Sequence, residues 1–458
     1  MDEARFSSQP TREGARGRES GGEAPKSEEL GLGIGQQTLA WLAWLSVGAA
    51  IGYAAWGSGR TPLLAILIPL LCFSARSRSE AFLLALGYHL AVVRFLPDYA
   101  KAWFDEPLLG LPIWLGVGFV SAAGWATGWT ASSDGKRVAL ASLCALAITL
   151  LPPVAVVLPG HPVVAWGFLL EGTGWVGLFA AIAATMGGCV LVRRARVSEA
   201  HVWHLPLVMG LIAAFLVTLS LRQDRMDGSV VGDMAAFATG WGSPPRTDEE
   251  IIARLEKAGA MAREASGGEG GARLVVFPET SMGKYDTSFG PVFRNELVAQ
   301  AQAGRQAIMI GGEVALPDRT AQNLAVLIRR DGTISYVTQR QPAPISMWAP
   351  WKDGHFPADW FGTNTLQIEP GLRARVIFCY EEYLPFLTLI NEARDPHTLV
   401  VVMANGWAIP NLEASHIQET HTEGLARLFG RKYLRAENYQ PALYREQHKR
   451  QLEGTVGR

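Results

Sequence analysis

The sequence predicts a multi-span α-helical membrane domain followed by a layered α/β domain. Hydrophobic residues make up 49% of the 458 residues and charged residues only 18%, below the roughly 25% usual for soluble proteins. The charges are also unevenly placed: Leu39 to Leu221 holds 17 in 183 residues, whereas Arg222 to Arg458 holds 54 in 237. We infer that the two parts of the chain lie in different solvents.

Residues 1–37 predict a disordered cytoplasmic tail, because charges of both signs alternate with Gly, Ser and Pro and almost no large apolar residue is present. Residues 38–222 predict a transmembrane domain of about seven helices, since soluble helices are rarely apolar on every face. The apolar stretches are 39–56, 62–75, 80–96, 108–130, 138–157, 174–192 and 205–222. The stretch 62–75 is the shortest relative to the ~20 residues that a span requires.

Positive charges predict the orientation of these helices. With the N-terminus inside, the cytoplasmic loops carry seven Lys or Arg residues and the opposite loops carry three. The seven are Arg76, Arg78, Lys136, Arg137, Arg193, Arg194 and Arg196. We therefore expect a multi-pass protein of the bacterial inner membrane whose residues after 222 are periplasmic.

The second half alternates helical and strand patterns, which predicts an α/β domain over residues 223–438. Strands are expected at 274–277, 307–310, 325–328, 333–338, 375–378 and 399–403, and helices at 248–265, 293–304, 381–394 and 415–429. Residues 439–458 are polar, without a strand pattern, and predict an atypical tail.

Composition excludes several functional classes. Lys plus Arg total 41 against 42 for Asp plus Glu, so there is no general positive field to hold nucleic acid. The four cysteines are scattered, whereas a zinc site or a disulfide framework needs clustered spacings. We therefore expect no metal, no cofactor and no nucleic-acid partner, and Cys379 is expected to act alone.

Two predicted strands end in residues suited to acyl chemistry. LVVFPET presents Glu279 after Pro278 has ended the strand, and RVIFCYEE presents Cys379 at the start of a helical turn, near backbone N–H donors. Either residue alone is more often structural. Together they suggest Glu279 as general base and Cys379 as a nucleophile that forms a thioester.

In this order FPET, QNLAVLI, DGTISY, FCYEEYLPF and VVMANGW resemble the nitrilase, or carbon–nitrogen hydrolase, superfamily. The preceding membrane domain indicates its membrane branch, the apolipoprotein N-acyltransferases and the TraB-type conjugal transfer proteins. HPVVAWGFLLEGTGWVGL and QRQPAPISMW look closer to the latter. The resemblance implies a nitrilase-like αββα sandwich with a Glu–Lys–Cys triad.

The sequence departs from that triad. Glu279 and Cys379 match, but the family's lysine falls on Thr338, which cannot supply positive charge to an oxyanion. Arg340, Lys352 and Lys284 are the candidate substitutes, and the further glutamate of the acyltransferases is not evident in 341–351. The resemblance also implies that Glu381 belongs to the catalytic group and that Tyr380, Asn405 and Trp407 line the substrate pocket.

Trp348 is expected either to anchor the protein at the membrane surface or to line a lipid-binding cleft. The family continues with further strands after 438, so either the sandwich is completed differently here or the gene is truncated. In the second case an exposed sheet edge is expected.

The resulting functional hypothesis is acyl transfer through a Cys379 thioester at the external membrane face, linked to plasmid conjugal transfer. A membrane phospholipid is the expected acyl donor, and a lipoprotein or another amine is the expected acceptor. Two alternatives stay open at this point. One is a catalytically impaired membrane scaffold that retains the fold, favoured by Thr338, and the other is a carbon–nitrogen hydrolase acting on small amides.

Overall fold

A computed structural model describes residues 34–106, 108–198, 204–267, 271–285, 290–316, 320–409 and 411–445. Most of the predicted N-terminal tail, and residues 446–458 of the predicted C-terminal tail, lie outside these ranges. The first described helix begins at Ile34, so the last four positions of the predicted tail, 34–37, are helical rather than disordered.

Eight helices are described in the first part of the chain, and each predicted apolar stretch overlaps at least one of them. They are α1 (Ile34–Trp56), α2 (Leu67–Ser74), α3 (Arg78–Val92), α4 (Leu96–Phe104), α5 (Gly110–Thr127), α6 (Gly135–Leu150), α7 (Gly174–Val197) and α8 (Leu205–Leu221). Short 3₁₀ turns occur at Pro62–Ile66, Val154–Val157 and Pro162–Phe168. Large apolar side chains such as Leu39, Phe119 and Phe215 are exposed on the outer surface, as lipid contact requires.

The number of spans is not fixed by helix length. Among the described residues, three helices are long and apolar enough to cross a membrane, namely Gly35–Trp56, Gly110–Thr127 and Gly174–Val197. A fourth is counted if α3 and α4, which meet at a bend of 51°, form one span. Each of the other described helices in this part of the chain has at most 17 residues, against the ~20 that a 30 Å core requires. The protein therefore has several apolar helices suited to a membrane, and seven spans stay a prediction.

The bend between α3 and α4 has a local cause. Pro97 lies in the first turn of α4, where its missing N–H costs nothing but where the helix of α3 cannot continue unbroken through it. The bend turns α4 towards the α/β domain. Tyr99 and Trp103 on α4 consequently reach the cavity described below.

The α/β domain contains two sheets. The first has the order β1 (Val230–Val231), β2 (Met234–Ala236), β4 (Leu274–Val276), β5 (Ala307–Ala315), β6 (Ala321–Ile328) and β7 (Ile334–Thr338). The second has the order β3 (Ala238–Thr239), β11 (Lys432–Asn438), β10 (Leu399–Asn405), β9 (Leu372–Phe378) and β8 (Thr365–Glu369). Strands β2, β4 and β5 are parallel, as are β3, β11, β10 and β9.

Helices cover both outer faces of the paired sheets. They are α9 (Asp248–Ser266), α10 (Gly290–Phe293), α11 (Ala299–Gly304), α12 (Pro385–Arg394) and α13 (Glu413–Leu428). Val276, Met309 and Leu327 of the first sheet pack against Val376, Val401 and Leu434 of the second. Leu255 of α9 covers Val275 on the first outer face, and Ala426 of α13 covers Val402 on the second. The four layers are those of the predicted αββα sandwich.

The second sheet is completed by β11, which the sequence patterns did not identify as a strand. It runs parallel to β10 from the pair Leu399 and Lys432 to the pair Asn405 and Asn438. On its other side, the N–H of Arg435 donates to Gly228 and that of Glu437 donates to Phe237. This edge therefore has backbone partners, in contrast to the exposed edge expected for a truncated sandwich.

The two domains share one apolar core. Ile417, Leu425 and Leu428 of α13 are buried in the same cluster as Trp56 and Val164 of the membrane domain. Backbones meet directly, because a Cβ atom added to Gly167 would lie 1.7 Å from the carbonyl oxygen of Gly424. The α/β domain is therefore docked on the helices by close packing rather than tethered by a linker.

Candidate active site

A cavity of about 250 Å³ lies where the two domains meet. Apolar side chains of the membrane domain form one side, and polar side chains at the strand ends form the other. The first group includes Phe95, Leu96, Trp103, Phe104, Ile113 and Val117, and the second includes Glu279, Glu313, Asn323, Gln339, Cys379 and Gln418. Such a site can hold an apolar chain beside polar reacting groups.

Cys379 follows β9 directly and opens a 3₁₀ turn that extends to Tyr383. Its φ angle of 33° lies in the left-handed region, which costs energy for a residue with a side chain. The Nε2 atom of Gln418 donates to the Cys379 sulfur at 3.7 Å, and the thiol donates to the Asn405 carbonyl at 3.9 Å. Burial and the nearby Glu279 carboxylate raise the pKa of the Cys379 thiol well above its ordinary value.

Glu279 lies three residues after the end of β4 and lines the same cavity as Cys379. The Nδ2 atom of Asn323 donates to Glu279 Oε1 at 2.6 Å. Burial, followed by the charge of Glu381, raises the pKa of Glu279 to about 8, while Asn323 and Cys379 oppose the rise. Both predicted catalytic groups therefore share one cavity, although 100 residues separate them in the sequence.

The structure disagrees with the prediction that Thr338 occupies the position of the family's oxyanion lysine. Thr338 pairs with Leu324, whose side chain packs on the outer face of the first sheet. Residues paired across neighbouring strands project to the same face, so Thr338 points away from the cavity, which it does not line. The next residue, Gln339, lies opposite Asn323 and does line the cavity.

None of the three candidate cations substitutes for the lysine. The buried guanidinium of Arg340 donates to the carbonyls of Trp360 and Leu387 at 3.3 and 3.1 Å, away from the thiol. Lys352 and Lys284 are exposed. No lysine or arginine lines the cavity in the part of the chain that the structure describes.

Glu381 lies outside the cavity and connects two of the segments that form it. Its Oε1 atom accepts the backbone N–H groups of Arg340 and Gln341 at 2.5 and 2.9 Å, and its Oε2 atom accepts that of Phe378 at 3.0 Å. It thereby fixes the segment after β7 to the turn that carries Cys379. Because it does not line the cavity, the geometry assigns it to positioning rather than to the catalytic group.

Three of the four predicted substrate-binding residues line the cavity, namely Tyr380, Asn405 and Trp407. The Tyr380 hydroxyl donates to Val156 of the membrane domain at 2.6 Å, and the Trp407 ring lies 5.8 Å from that of Trp103. Trp348 packs, half-buried, against the shared core and does not line the cavity. Both Trp348 and the cavity nevertheless lie at the domain junction.

Sequence reasoning missed Gln339, Glu313 and Gln418, and used Asn323 only as part of a motif. Glu313, Asn323 and Gln339 form one row across β5, β6 and the end of β7. Strand alternation could have identified this row once the pairing register was known. Gln418 gives no local signal, because it is one polar residue on a helix with many. No group of three or more metal-binding side chains occurs within the described ranges, and the absence of a metal stays a prediction.

The two stacked sheets, with a carboxylate and a cysteine at strand ends, define a nitrilase-like fold carried by a helical, apolar N-terminal region. Over 392 residues the chain is 28% identical to a protein of Sinorhizobium fredii named "Probable conjugal transfer protein TraB", covering 83% of this chain and 94% of that protein. It is 27% identical over 425 residues to the "Conjugal transfer protein TraB" of Agrobacterium fabrum, covering 87% and 93%. These similarities confirm the predicted resemblance to TraB-type proteins. No protein-family model matches the chain.

Solved structures of similar type are more distant. An amidase from Nesterenkonia sp. is 17% identical with a TM-score of 0.35, covering 48% of this chain and 81% of the amidase. A carbon-nitrogen hydrolase from Helicobacter pylori G27 is 14% identical with a TM-score of 0.34, covering 42% and 70%. The assignment of the αββα sandwich rests on the sheets and helices of this structure rather than on these two likenesses.

Proposed function

We propose that this protein is a membrane-bound acyltransferase of the nitrilase type, in which Cys379 carries the acyl group as a thioester. One observation carries the proposal: the Cys379 and Glu279 pair opens into a cavity whose other side consists of apolar residues on membrane-domain helices. A water-soluble amide would gain little from such walls. An acyl chain is stabilised by them, at roughly 0.8 kcal/mol for each buried CH₂ group.

In the first half-reaction, the ionised Glu279 takes the thiol proton while the sulfur attacks the carbonyl carbon of an ester. The carbonyl π electrons move to oxygen, and the tetrahedral intermediate collapses to a thioester as Glu279 returns the proton to the leaving alcohol. In the second half-reaction an amine attacks the thioester and loses a proton to Glu279. The tetrahedral intermediate then collapses with cleavage of the carbon–sulfur bond, and the departing Cys379 thiolate takes this proton from Glu279.

The charge of the cavity supports an amine as acceptor. Two carboxyl groups, Glu279 and Glu313, line the cavity, and no lysine or arginine does among the described residues. Burial raises the pKa of both carboxyl groups, and an ammonium group that enters the cavity favours their ionised forms, whereas a carboxylate disfavours them. A phospholipid ester as donor and a lipoprotein or another amine as acceptor fit these conditions.

The biological setting follows from the relatives. Both curated relatives are named for conjugal transfer, and each aligns over more than nine tenths of its own length. We infer a role in plasmid conjugal transfer at the bacterial inner membrane. The positive-charge bias of the loops supports a periplasmic α/β domain.

The proposal is tested by incubating purified protein in mixed micelles with a phospholipid labelled in its acyl chains. We expect a protein-bound label that hydroxylamine releases and that Cys379→Ala abolishes. Cys144→Ala is the matched control, because Cys144 is exposed on α6 and does not line the cavity. Label that persists in Cys379→Ala, or that never forms in folded wild-type protein, would contradict the proposal.

A catalytically impaired scaffold is the second candidate, favoured by the raised pKa of Cys379 and by a cavity that no described lysine or arginine lines. It predicts no acyl label in wild-type protein. It also predicts that Cys379→Ala supports conjugal transfer as well as the wild-type gene does.

A further inference from the structure

The end of β7 places an amide in the cavity where the family resemblance implies an ammonium group. Gln339 continues the β6–β7 ladder by donating its backbone N–H to the Asn323 carbonyl at 2.9 Å. Its side chain therefore projects to the same face as Asn323, into the cavity that contains Cys379. Thr338 projects to the opposite face. Of these two neighbouring residues, Gln339 is thus the one that can contact a reacting carbonyl in the cavity.

The orientation of the Gln339 amide is determined by its neighbours. A carboxylate only accepts hydrogen bonds, so Asn323 turns its NH₂ group to Glu279, at 2.6 Å. The same NH₂ group donates to Gln339 Oε1 at 3.0 Å. Since the Gln339 oxygen is used in this way, its Nε2 donor is left for a group inside the cavity.

We propose that Gln339 Nε2 donates the hydrogen bond that stabilises the oxyanion formed on Cys379, and that Asn323 is the positioning residue that orients it. The inference rests on the proposed function, because it concerns the tetrahedral intermediate of the same site. The site then works with a neutral donor in place of a lysine. A neutral amide is effective when it is held in place before the charge develops, since no reorientation is needed during the reaction.

The proposed donor also gives a catalytic role to the hydrogen bonds that join Glu279, Asn323 and Gln339. Asn323 contacts both the base and the oxyanion donor, so the carboxylate state of Glu279 is the one that orients Gln339 for catalysis. When Glu279 has taken the thiol proton, negative charge moves from the carboxylate to the oxyanion beside Gln339. The total charge of the cavity is unchanged throughout, with no cation required.

Two variants and a control test the inference. Gln339→Met keeps the volume but removes the donor, Gln339→Lys restores a donor and adds charge, and Thr338→Lys places the same charge on the other face. We expect Gln339→Met to slow acyl-thioester formation roughly 100-fold, as for the loss of one oxyanion donor. Gln339→Lys should retain activity and lower the pH midpoint of the reaction, because a cation favours ionised Glu279. Thr338→Lys should change neither.

A second measurement separates this inference from the choice of acyl donor. A long-chain aldehyde such as dodecanal adds reversibly to a thiol and places its oxygen where the oxyanion forms. The quantity to measure is the dodecanal concentration that halves the rate at which iodoacetamide alkylates Cys379. Gln339→Met should require at least tenfold more aldehyde, while Gln339→Lys and Thr338→Lys should protect like wild-type protein. Should Gln339→Met not fold, Asn323→Ala, which removes the orienting contact, is expected to weaken protection in the same direction.

The outcomes separate the two proposals. If phospholipid gives no thioester but aldehyde protection depends on Gln339, the oxyanion donor is supported and the proposed acyl donor is wrong. If Gln339→Met equals wild type in both assays, or Thr338→Lys shifts the pH midpoint as Gln339→Lys does, the inference is overturned. It is also overturned if wild-type protein shows no aldehyde protection, since a formed oxyanion site binds this adduct.

Discussion

The Nε2 atom of Gln418 lies 3.7 Å from the Sγ atom of Cys379. Gln418 belongs to α13, which packs against the membrane domain on its other faces. Gly424 contacts Gly167 there, and the ring of His421 accepts the backbone N–H of Gly160 at 2.9 Å. The immediate surroundings of the thiol therefore depend on how α13 is docked. A change at the domain junction is therefore expected to alter the reactivity of the Cys379 sulfur.

Gly167→Ala tests this dependence. The new methyl group would overlap the Gly424 carbonyl, so we expect a loss of stability of about 1–3 kcal/mol and altered alkylation of Cys379. Thermal unfolding in detergent and the alkylation rate measure the two effects. Gly210→Ala is the control, because no atom lies within 4 Å of its added Cβ on exposed α8. Equal stability of the two variants would show that the junction is loosely packed.

The raised pKa of Glu279 predicts a specific pH dependence of stability. The carboxyl titrates near 4.5 when unfolded and near 8 when folded, so the neutral form favours the folded state. That contribution is complete below pH 4.5 and is lost as the pH rises through 8. Glu279→Gln stays neutral, so we expect it to match wild type at pH 4.5 and to be more stable, by on the order of a few kcal/mol, at pH 9. Parallel pH profiles of unfolding temperature would contradict the assignment.

Wild-type acyl-thioester formation should also rise with pH towards about 8, because only ionised Glu279 can take the thiol proton. The initial rate of label incorporation between pH 6 and 9 measures this. A rate that falls over the same interval, in protein shown to be folded, would exclude Glu279 as the base.

Glu381→Gln tests the positioning role of Glu381. One amide oxygen cannot serve three backbone N–H groups as a carboxylate does, so at least one buried donor loses its partner, at about 1–3 kcal/mol. We expect a lower unfolding temperature and slower alkylation of Cys379. Glu256→Gln on the exposed face of α9 is the control. An unchanged unfolding temperature together with complete loss of labelling would indicate a direct catalytic role instead.

The topology prediction is tested with phosphatase fusions. The positive charges predict that a fusion after Arg222 is active, outside the cytoplasm, and that one after Arg196 is inactive. The reverse pattern would place the α/β domain in the cytoplasm. A fusion in the turn after Phe104 would further report whether the bent α3–α4 pair crosses the membrane as one unit.

Much of the fold could be predicted from local patterns. Strand β4 and helix α9 are predicted by runs of apolar residues at the period of a strand and of a helix, respectively. Thr247 and Glu250 also form a capping box at the start of α9. Strand β11 was missed because Lys432, Arg435 and Glu437 interrupt its apolar pattern. The two buried charges are tolerated because Arg435 forms ion pairs with both Glu437 and Glu382.

The site was harder, because it depends on register and on distant partners. A motif match placed the lysine position on Thr338, but the side-chain period of a strand is two residues, so a shift of one residue exchanges the two faces. Only the pairing with β6 shows that Gln339 faces the cavity. Glu381 was singled out because it lies in the same motif as Cys379. Its role, however, depends on backbone N–H groups about 40 residues earlier in the chain.

The shared cavity has a consequence for how the protein is made. Helices α4 and α5 are translated well before most strands of the sandwich, and α13 is translated after Glu279 and Cys379. A nascent chain that stops before Glu413 has both its nucleophile and its base but lacks Gln418 and the docking surface. We therefore expect the proposed reactive geometry at the sulfur to form only after α13 has been translated and docked, so that copies that stop before Glu413 should not form the acyl thioester.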